Sequence, residues 1–243
     1  MSTISPRGFA LPDSNELDLV LQLLKLCQEN RVAFPFNQTS ALRFLRDKKG
    51  NVAAAFKNMQ RHSLWRIENN VEGITEDSIQ KEMKKKVMMQ TGFDRNHRPT
   101  LYGFVRNYKK EHRDLEATKR LLIWSLEKAL LQSHPEEQRL VVIADLSQFS
   151  MKNIDYDMIK MAINVLQANY PETMHVALVV NAPFIFNACY SIIRPWLDPV
   201  TAAKVHFISG DRLLEFVEED QIPVEFIGFR RNVAKEKSIK TVF

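Results

Sequence analysis

Glycine is scarce in this chain, at seven residues in 243. None stands in a GxGxxG or GxxxxGK(S/T) arrangement, so the loops that cradle dinucleotides and nucleoside triphosphates are missing. No GxSxG turn presents a serine nucleophile. Cysteine is scarcer still. Cys27 and Cys189 lie far apart, each in an apolar segment, a pattern that fits buried free thiols in a reducing compartment. The six histidines (His62, His97, His112, His134, His175 and His206) show no metal-ligand spacing with one another or with the cysteines. Asp145 closes "VVIAD", where a catalytic carboxylate could sit at a strand end. It has no partner carboxylate or base nearby in sequence, so a structural turn role is expected. No catalytic residue and no metal site are expected, and the chain is expected not to be an enzyme.

Charge is absent from one long stretch. "MHVALVVNAPFIFNACYSII", residues 174–193, holds no Asp, Glu, Lys or Arg over twenty residues, about the length of a membrane-crossing helix. Asn181-Ala182-Pro183 interrupts it, and a mid-helix proline removes a backbone donor and clashes with the preceding turn. The first half is short and β-branched, like a strand buried on both faces. The second half, 184–193, is long enough for a helix, with Pro183 in its first turn and Asn181 or Ala182 as cap. The run reads as strand, turn, helix rather than a span.

Length allows one large domain or a small one plus a medium one. A hydrophobic content of 45% and a charged content of 26% are ordinary for a soluble globular protein. The first twenty residues carry Arg7, Asp13, Glu16 and Asp18 without an uninterrupted apolar stretch, so no secretory leader and a cytosolic location are expected. The net charge of +5 is unevenly placed. "RRNVAKEKSIKTVF", residues 230–243, holds five basic residues and one acid, and "QKEMKKK" sets Lys81, Lys84, Lys85 and Lys86 against Glu82. Basic segments attract nucleic acid or anionic membrane, at about 1 kcal/mol per lysine near a charged bilayer. Solvated helix faces and a frayed tail explain them equally well, so charge alone decides nothing.

Periodicity predicts a helix over 16–30 with Leu17, Val20, Leu21, Leu24 and Cys27 on one face. "TSALRFLRDKKGN" predicts a second, capped by Thr39 or Ser40 and ended by Gly50. Asn51 can cap a third, and together they make a small bundle ending near residue 70. The polar "NNVEGITEDS" is a boundary. Beyond Gly92, "RPTLYGFV", "RLVVIADL", "HVALVVN", "KVHFIS" and "IPVEFIGF" read as strands, with helical stretches at 116–131, 155–168 and 184–193. Alternating strands and helices imply an α/β layer with a largely parallel sheet.

With these elements placed, "YPETMHVALVVNAPFIFNACYSIIRPWLDPVTAAK" resembles the signature of the CRAL-TRIO lipid-transfer family, most closely its phosphatidylinositol-transfer branch. Tyr170-Pro171-Glu172, Asn181-Ala182-Pro183 and the series Arg194-Pro195-x-Leu197-Asp198-Pro199-x-Thr201-x-x-Lys204 match in order and spacing. "LRFLRDKKGNV" resembles the N-terminal helical module, "DRNHRPTLY" the turn into the first strand, and "IPVEFIG" the closing strand, so the resemblance covers roughly 42–228. Two positions depart from the pattern. His97 stands where glycine is usual, with Asn96 able to supply a left-handed residue. Thr173 stands where a basic residue is frequent.

The resemblance implies an α/β fold whose mixed, mostly parallel sheet floors a deep apolar cavity under a helical gate, preceded by a small helical bundle. The implied division is 1–75 for the helical module, 76–229 for the lipid-binding domain and 230–243 for a basic tail. A headgroup site of Lys48, Lys49, Glu172, Thr173, Thr201 and Lys204 is implied. Asp198-Pro199 is an N-cap with a first-turn proline, which sets Thr201 and Lys204 three apart on one face. Gate or cavity positions are Phe184, Phe186, Tyr190 and Ile193. Members that also carry phosphatidylcholine tend to place hydroxyls deeper in the cavity. The corresponding positions here are Leu101, Leu140, Val142 and Leu166, all apolar, which fits a neutral second ligand better.

The implied function is soluble phosphatidylinositol binding and transfer, with no cofactor beyond the bound lipid. Transient peripheral association with phospholipid membranes, a monomeric state and no nucleic-acid partner are also expected. Two alternatives stand beside it. One is a carrier of another lipophile (sterol, tocopherol-like or haem-like), and the other is a lipid-sensing module that presents lipid to a partner enzyme.

Overall fold

The computed structural model describes residues 10–227; the basic segment expected at 230–243 lies outside the described residues. Helix α1 (Ser14–Glu29) starts at Asp13, whose carboxylate accepts from the Glu16 amide at 2.8 Å. Its buried stripe is Val20, Leu23 and Cys27, whereas Leu17 and Leu21 are exposed. Leucines at 17, 19, 21, 23, 24 and 26 surround this helix, so periodicity alone leaves its rotation open.

Helix α2 (Gln38–Asp47) begins two or three residues earlier than the Thr39 or Ser40 cap would place it. Asn37 is the cap, its side-chain oxygen accepting from the Ser40 amide at 2.8 Å while its own amide donates to the Ser40 hydroxyl at 2.9 Å. Helix α3 (Val52–Glu68) starts at the expected cap, Asn51. The three helices enclose their own core around Leu23, Leu45 and Met59. Polar contacts hold this bundle to the rest. Arg66 grips Glu127 at 2.7 and 3.1 Å, and Tyr170 donates to the same carboxylate at 2.7 Å.

Beyond α4 (Glu76–Met83) lies a five-stranded sheet of β1 (Met88–Phe93), β2 (Pro99–Phe104), β3 (Leu140–Asp145), β4 (Met174–Val180) and β5 (Val205–Ile208), in that spatial order. β1 is antiparallel to β2, and the other pairings are parallel. Helices α5 (Leu115–Gln132) and α6 (Tyr156–Asn169) pack on one face of the sheet. Next along the chain come α7 (Phe186–Ile193) and α8 (Pro199–Ala203).

The two sheet faces are filled differently. Tyr102, Phe104, Val141, Ile143, Val176, Leu178 and Val180 form a closed layer under the C-terminal 3-10 turns. The opposite face carries Leu101 and Gly103, Leu140, Val142 and Ala144, then Ala177 and Val179. Here Gly103, Val142, Ala144 and Ala177, all on inner strands, are only half-buried. Among the described residues, a Cβ added at Gly103 would meet nothing within 4 Å. Interiors otherwise pack nearly without voids, so small side chains and an unfilled floor mark open space on this face.

Several expectations need correction. β1, "MMQTGF", escaped the strand pattern because it is polar and contains glycine. "IPVEFIGF" forms no strand over its described part, 222–227. Phe226 is fully buried, and its amide turns back to the Pro223 carbonyl at 2.9 Å. Its apolar character therefore reflects an anchor beneath the closed sheet face. His97 itself takes the left-handed conformation at φ 60°, a region where histidine is enriched among non-glycine residues. α7 starts at Phe186 rather than at 184, without Asn181 or Ala182 as cap. Asn181 instead ties three strand ends together. It donates to the Ser147 hydroxyl at 3.0 Å and accepts from the Gly210 amide at 2.8 Å.

Candidate functional site

Four of the six expected headgroup residues, Lys49, Glu172, Thr201 and Lys204, line one cavity of about 350 Å³. Its wall is completed by Arg46, Asp47, Leu166, Gln167, Tyr170, Pro171, Met174, Asp198, Pro199 and Val200. Three segments remote in sequence supply it: the end of α2, the turn between α6 and β4, and α8. The α2 helix ends in a left-handed residue, Lys49 at φ 52°, followed by Gly50 at φ 81°, which turns the lysine out of the helix axis. Glu172 also holds a left-handed backbone, φ 57°, in the tight turn before β4. α8 exists because Asp198 caps it, its carboxylate accepting from the Thr201 amide at 2.9 Å, while Pro199 fills the first helical position.

The charges inside are already arranged. Lys204 Nζ lies 3.0 Å from Glu172 Oε2, with Arg139 on the same oxygen at 3.6 Å. Thr201 donates its hydroxyl proton to Asp198 Oδ2 at 2.6 Å, and Gln167 donates to the same oxygen at 2.8 Å. Burial alone would raise the Asp198 pKa, but these bonds and those from backbone amides outweigh it and hold the carboxyl below its ordinary value. Among the described residues, Lys204 uses one of its three donors, on Glu172, which leaves two for another acceptor. The Thr201 oxygen accepts more readily than it donates while its proton is held by Asp198. Lys49 makes no ion pair among the described residues and is exposed at the rim. The cavity therefore offers ammonium donors beside acceptors. That mixture suits a phosphate attached to a hydroxyl-rich group.

Two expected residues stand apart. Lys48 does not line this cavity and pairs with Asp47 at 2.9 Å. Thr173 is fully buried, with its hydroxyl donating to the Tyr170 carbonyl at 2.7 Å. Sequence reasoning missed Arg46, Gln167 and Asp198 as wall residues. Arg46 is bidentate with Glu16 at 2.8 Å, a contact across two helices that no local pattern signals. In the sequence Asp198 shows only as a cap.

Leu101, Leu140 and Val142 share the open sheet face, with Leu166 of α6 packed on the same cluster. Leu101 and Leu140 are buried there, while Val142 and Leu166 are half-buried. In α7, Phe186, Cys189 and Ile193 turn inward, and Tyr190 meets the Phe207 ring at 4.9 Å. Phe184 precedes the helix and is 90% exposed, with Ile185 and Ile192 also exposed. The segment thus shows apolar side chains both to the interior and to the outside. Both cysteines are buried and free, and Asp145 is a buried structural acid bonded to Arg106 and the Ser147 amide. Among the described residues, no group of three or more His, Cys, Asp or Glu is placed to hold a metal ion, and no helix is long and apolar enough to cross a membrane.

The CRAL/TRIO domain matches residues 83–228. The chain belongs to the CRAL/TRIO family. Among its relatives, a CRAL-TRIO domain-containing protein of Schizosaccharomyces pombe is 34% identical over 197 residues, 77% of this chain and 44% of that protein. The phosphatidylinositol transfer protein CSR1 of Eremothecium gossypii is 33% identical, over 77% of this chain and 46% of its own. The SEC14 cytosolic factor of Yarrowia lipolytica is 30% identical over 79% and 43%. The chain thus spans less than half the length of these curated relatives. Its similarity runs to the CRAL/TRIO branch that contains phosphatidylinositol transfer proteins. The crystal structure of Sfh5 superposes with a TM-score of 0.72 at 15% identity, over 96% of this chain and 100% of that one, a likeness of fold.

Proposed function

We infer that this chain binds phosphatidylinositol and exchanges it between membranes. The phosphoinositol headgroup sits in the cavity of Lys49, Glu172, Thr201 and Lys204, and the acyl chains lie over the open sheet face. The observation that carries this reading is the convergence of those four residues, from three remote segments, on one cavity beside a half-filled apolar floor. Lys204 takes the phosphate, while Glu172 and the Thr201 oxygen accept from inositol hydroxyls. Lys48 and Thr173 take part only if their segments rearrange around ligand. Each methylene exposed to water costs about 0.8 kcal/mol, so a carrier must open only at a bilayer. The α7 segment serves as that gate, its exposed Phe184, Ile185 and Ile192 entering the membrane surface. The protein works without catalysis, as a cytosolic monomer that docks transiently, with residues 1–75 as a helical module, 76–229 as the lipid-binding domain and 230–243 as a basic tail.

A second, neutral hydrophobic ligand is favoured by Leu101, Leu140, Val142 and Leu166. A choline phosphate against these side chains would leave polar groups unpaired, at about 1–3 kcal/mol each. In a transfer assay with labelled vesicles, phosphatidylinositol is expected to move much faster than phosphatidylcholine. Equal rates would refute the selectivity assigned to these four positions.

A further inference from the structure

A second cavity, of about 480 Å³, opens at the other end of the sheet from the one just described. It lies where β2 ends and β1 begins, between α4 and the start of α5. Strands of six residues at about 3.3 Å each put the two cavities roughly 20 Å apart along the sheet. Among the described residues, six cations line it: Lys84, Lys85 and Lys86 from the "QKEMKKK" run, with Arg106, Lys109 and Arg113 from the β2–α5 connection. Glu82 is the one carboxylate on the wall among the described residues.

Some of these charges are neutralised by carboxylates, most of them outside the wall, and the pattern of pairing is informative. Arg106 is held by the fully buried Asp145 at 2.6 Å. Arg113 is held through Nη1 by Asp155, also fully buried, and by Asp157, each at 3.0 Å. Lys85 pairs with Glu82 at 2.7 Å and Lys86 with Glu225 at 2.8 Å. The two arginines are thereby fixed in place, and Arg113 keeps Nε and Nη2 without a protein partner among the described residues. Among the described residues, Lys84 reaches only the neutral Gln80, at 3.3 Å, and Lys109 makes no ion pair. A concave wall with two unneutralised ammonium groups and an anchored guanidinium is built for an anion with several negative oxygens. Its volume is in the range of small-ligand pockets, about 300–1,000 Å³. Val87, Met88 and Leu121 supply an apolar inner side.

We propose that this cavity is a second anion site, taking a multiply phosphorylated inositol group. The shared chemistry is a cluster of phosphomonoesters, whether carried on a bilayer lipid or free in solution. The site does not depend on the phosphatidylinositol reading, because none of its residues lines the first cavity.

The test uses the full chain and the double charge reversal Lys84→Glu with Lys109→Glu. Both side chains are exposed, so the fold is expected to survive. Binding is measured by calorimetry with inositol trisphosphate, and by sedimentation with phosphatidylcholine vesicles doped with phosphatidylinositol bisphosphate. Wild type is expected to bind, and the double variant about 30-fold or more weakly, with phosphatidylinositol transfer unchanged. Loss in both arms supports a site that accepts either source, and loss in the vesicle arm alone supports the membrane lipid as the source. Failure of wild type to bind either probe overturns the proposal. So does unchanged binding by the folded double variant, or equal weakening by Lys204→Ala, which would put the anion in the first cavity.

Discussion

Gly103→Leu is expected to leave stability unchanged or raised while reducing lipid capacity. Gly103 lies on β2 between Met88 of β1 and Ala144 of β3, with φ outside the left-handed region and no atom of the described residues within 4 Å of an added Cβ. A side chain can therefore grow from this position without backbone strain or an immediate clash. Glycine inside a strand costs about 0.5–1 kcal/mol relative to alanine, so its removal favours the fold. The four leucine carbons would occupy space otherwise taken by about four ligand methylenes. At about 0.8 kcal/mol each, the loss is about 3 kcal/mol, or roughly 150-fold in affinity. The assay pairs phosphatidylinositol transfer with a thermal melt of the same preparation. A Tm lowered by more than about 4 °C, near 1 kcal/mol for a chain of this size, would mean that packed atoms fill the space. Undiminished transfer would mean that ligand does not use it.

Two further perturbations test the supports of the site and of the bundle. Asp198→Ala removes the α8 cap and the acceptor for Thr201 and Gln167. It is expected to cost about 1 kcal/mol of stability and to weaken transfer by misplacing Lys204; unchanged Tm and transfer would refute the capping role. His62, buried among aromatic rings, has its pKa pushed down to about 4, first by burial and then by the Arg66 charge. The unfolded chain takes up this proton near pH 6.5 and the folded one only near 4, so acid favours unfolding across that window. Stability should fall between those pH values, by at most about 3 kcal/mol from this group, and His62→Gln should flatten that part of the profile. An identical profile in the variant would remove His62 as the cause.

The fold was largely legible because its strands are β-branched runs and its helices begin at cap residues such as Asn51, Asp155 and Asp198. Failures came where local pattern and tertiary role diverge. α1 carries leucine on nearly every side, so only contact with α2 and α3 selects Val20 and Leu23. β1 is held as a strand by pairing with β2 rather than by its own composition. Phe226 mimics a strand residue while acting as a buried anchor. At the site, Thr201 and Lys204, both in one contiguous series, were legible, as was Glu172 in its turn. Arg46 and Arg139 reach the neighbourhood through contacts between elements, which sequence spacing does not encode. The second basic cavity was half visible, since "QKEMKKK" stands out as a run, whereas Arg106, Lys109 and Arg113 join it only after folding.

The central claim rests on Lys204, which lines the cavity and, among the described residues, spends one donor, on Glu172. The most direct test is phosphatidylinositol transfer by purified Lys204→Ala, with its Tm recorded in parallel. Half-exposed ion pairs contribute little to stability, about 1 kcal/mol or less, so the fold should persist. Removing an ammonium from a desolvated phosphate costs about 2–5 kcal/mol, a loss of roughly 30- to 4,000-fold in affinity. The account predicts that transfer collapses while Tm shifts by no more than a few degrees. Wild-type transfer by a normally folded Lys204→Ala protein would contradict it.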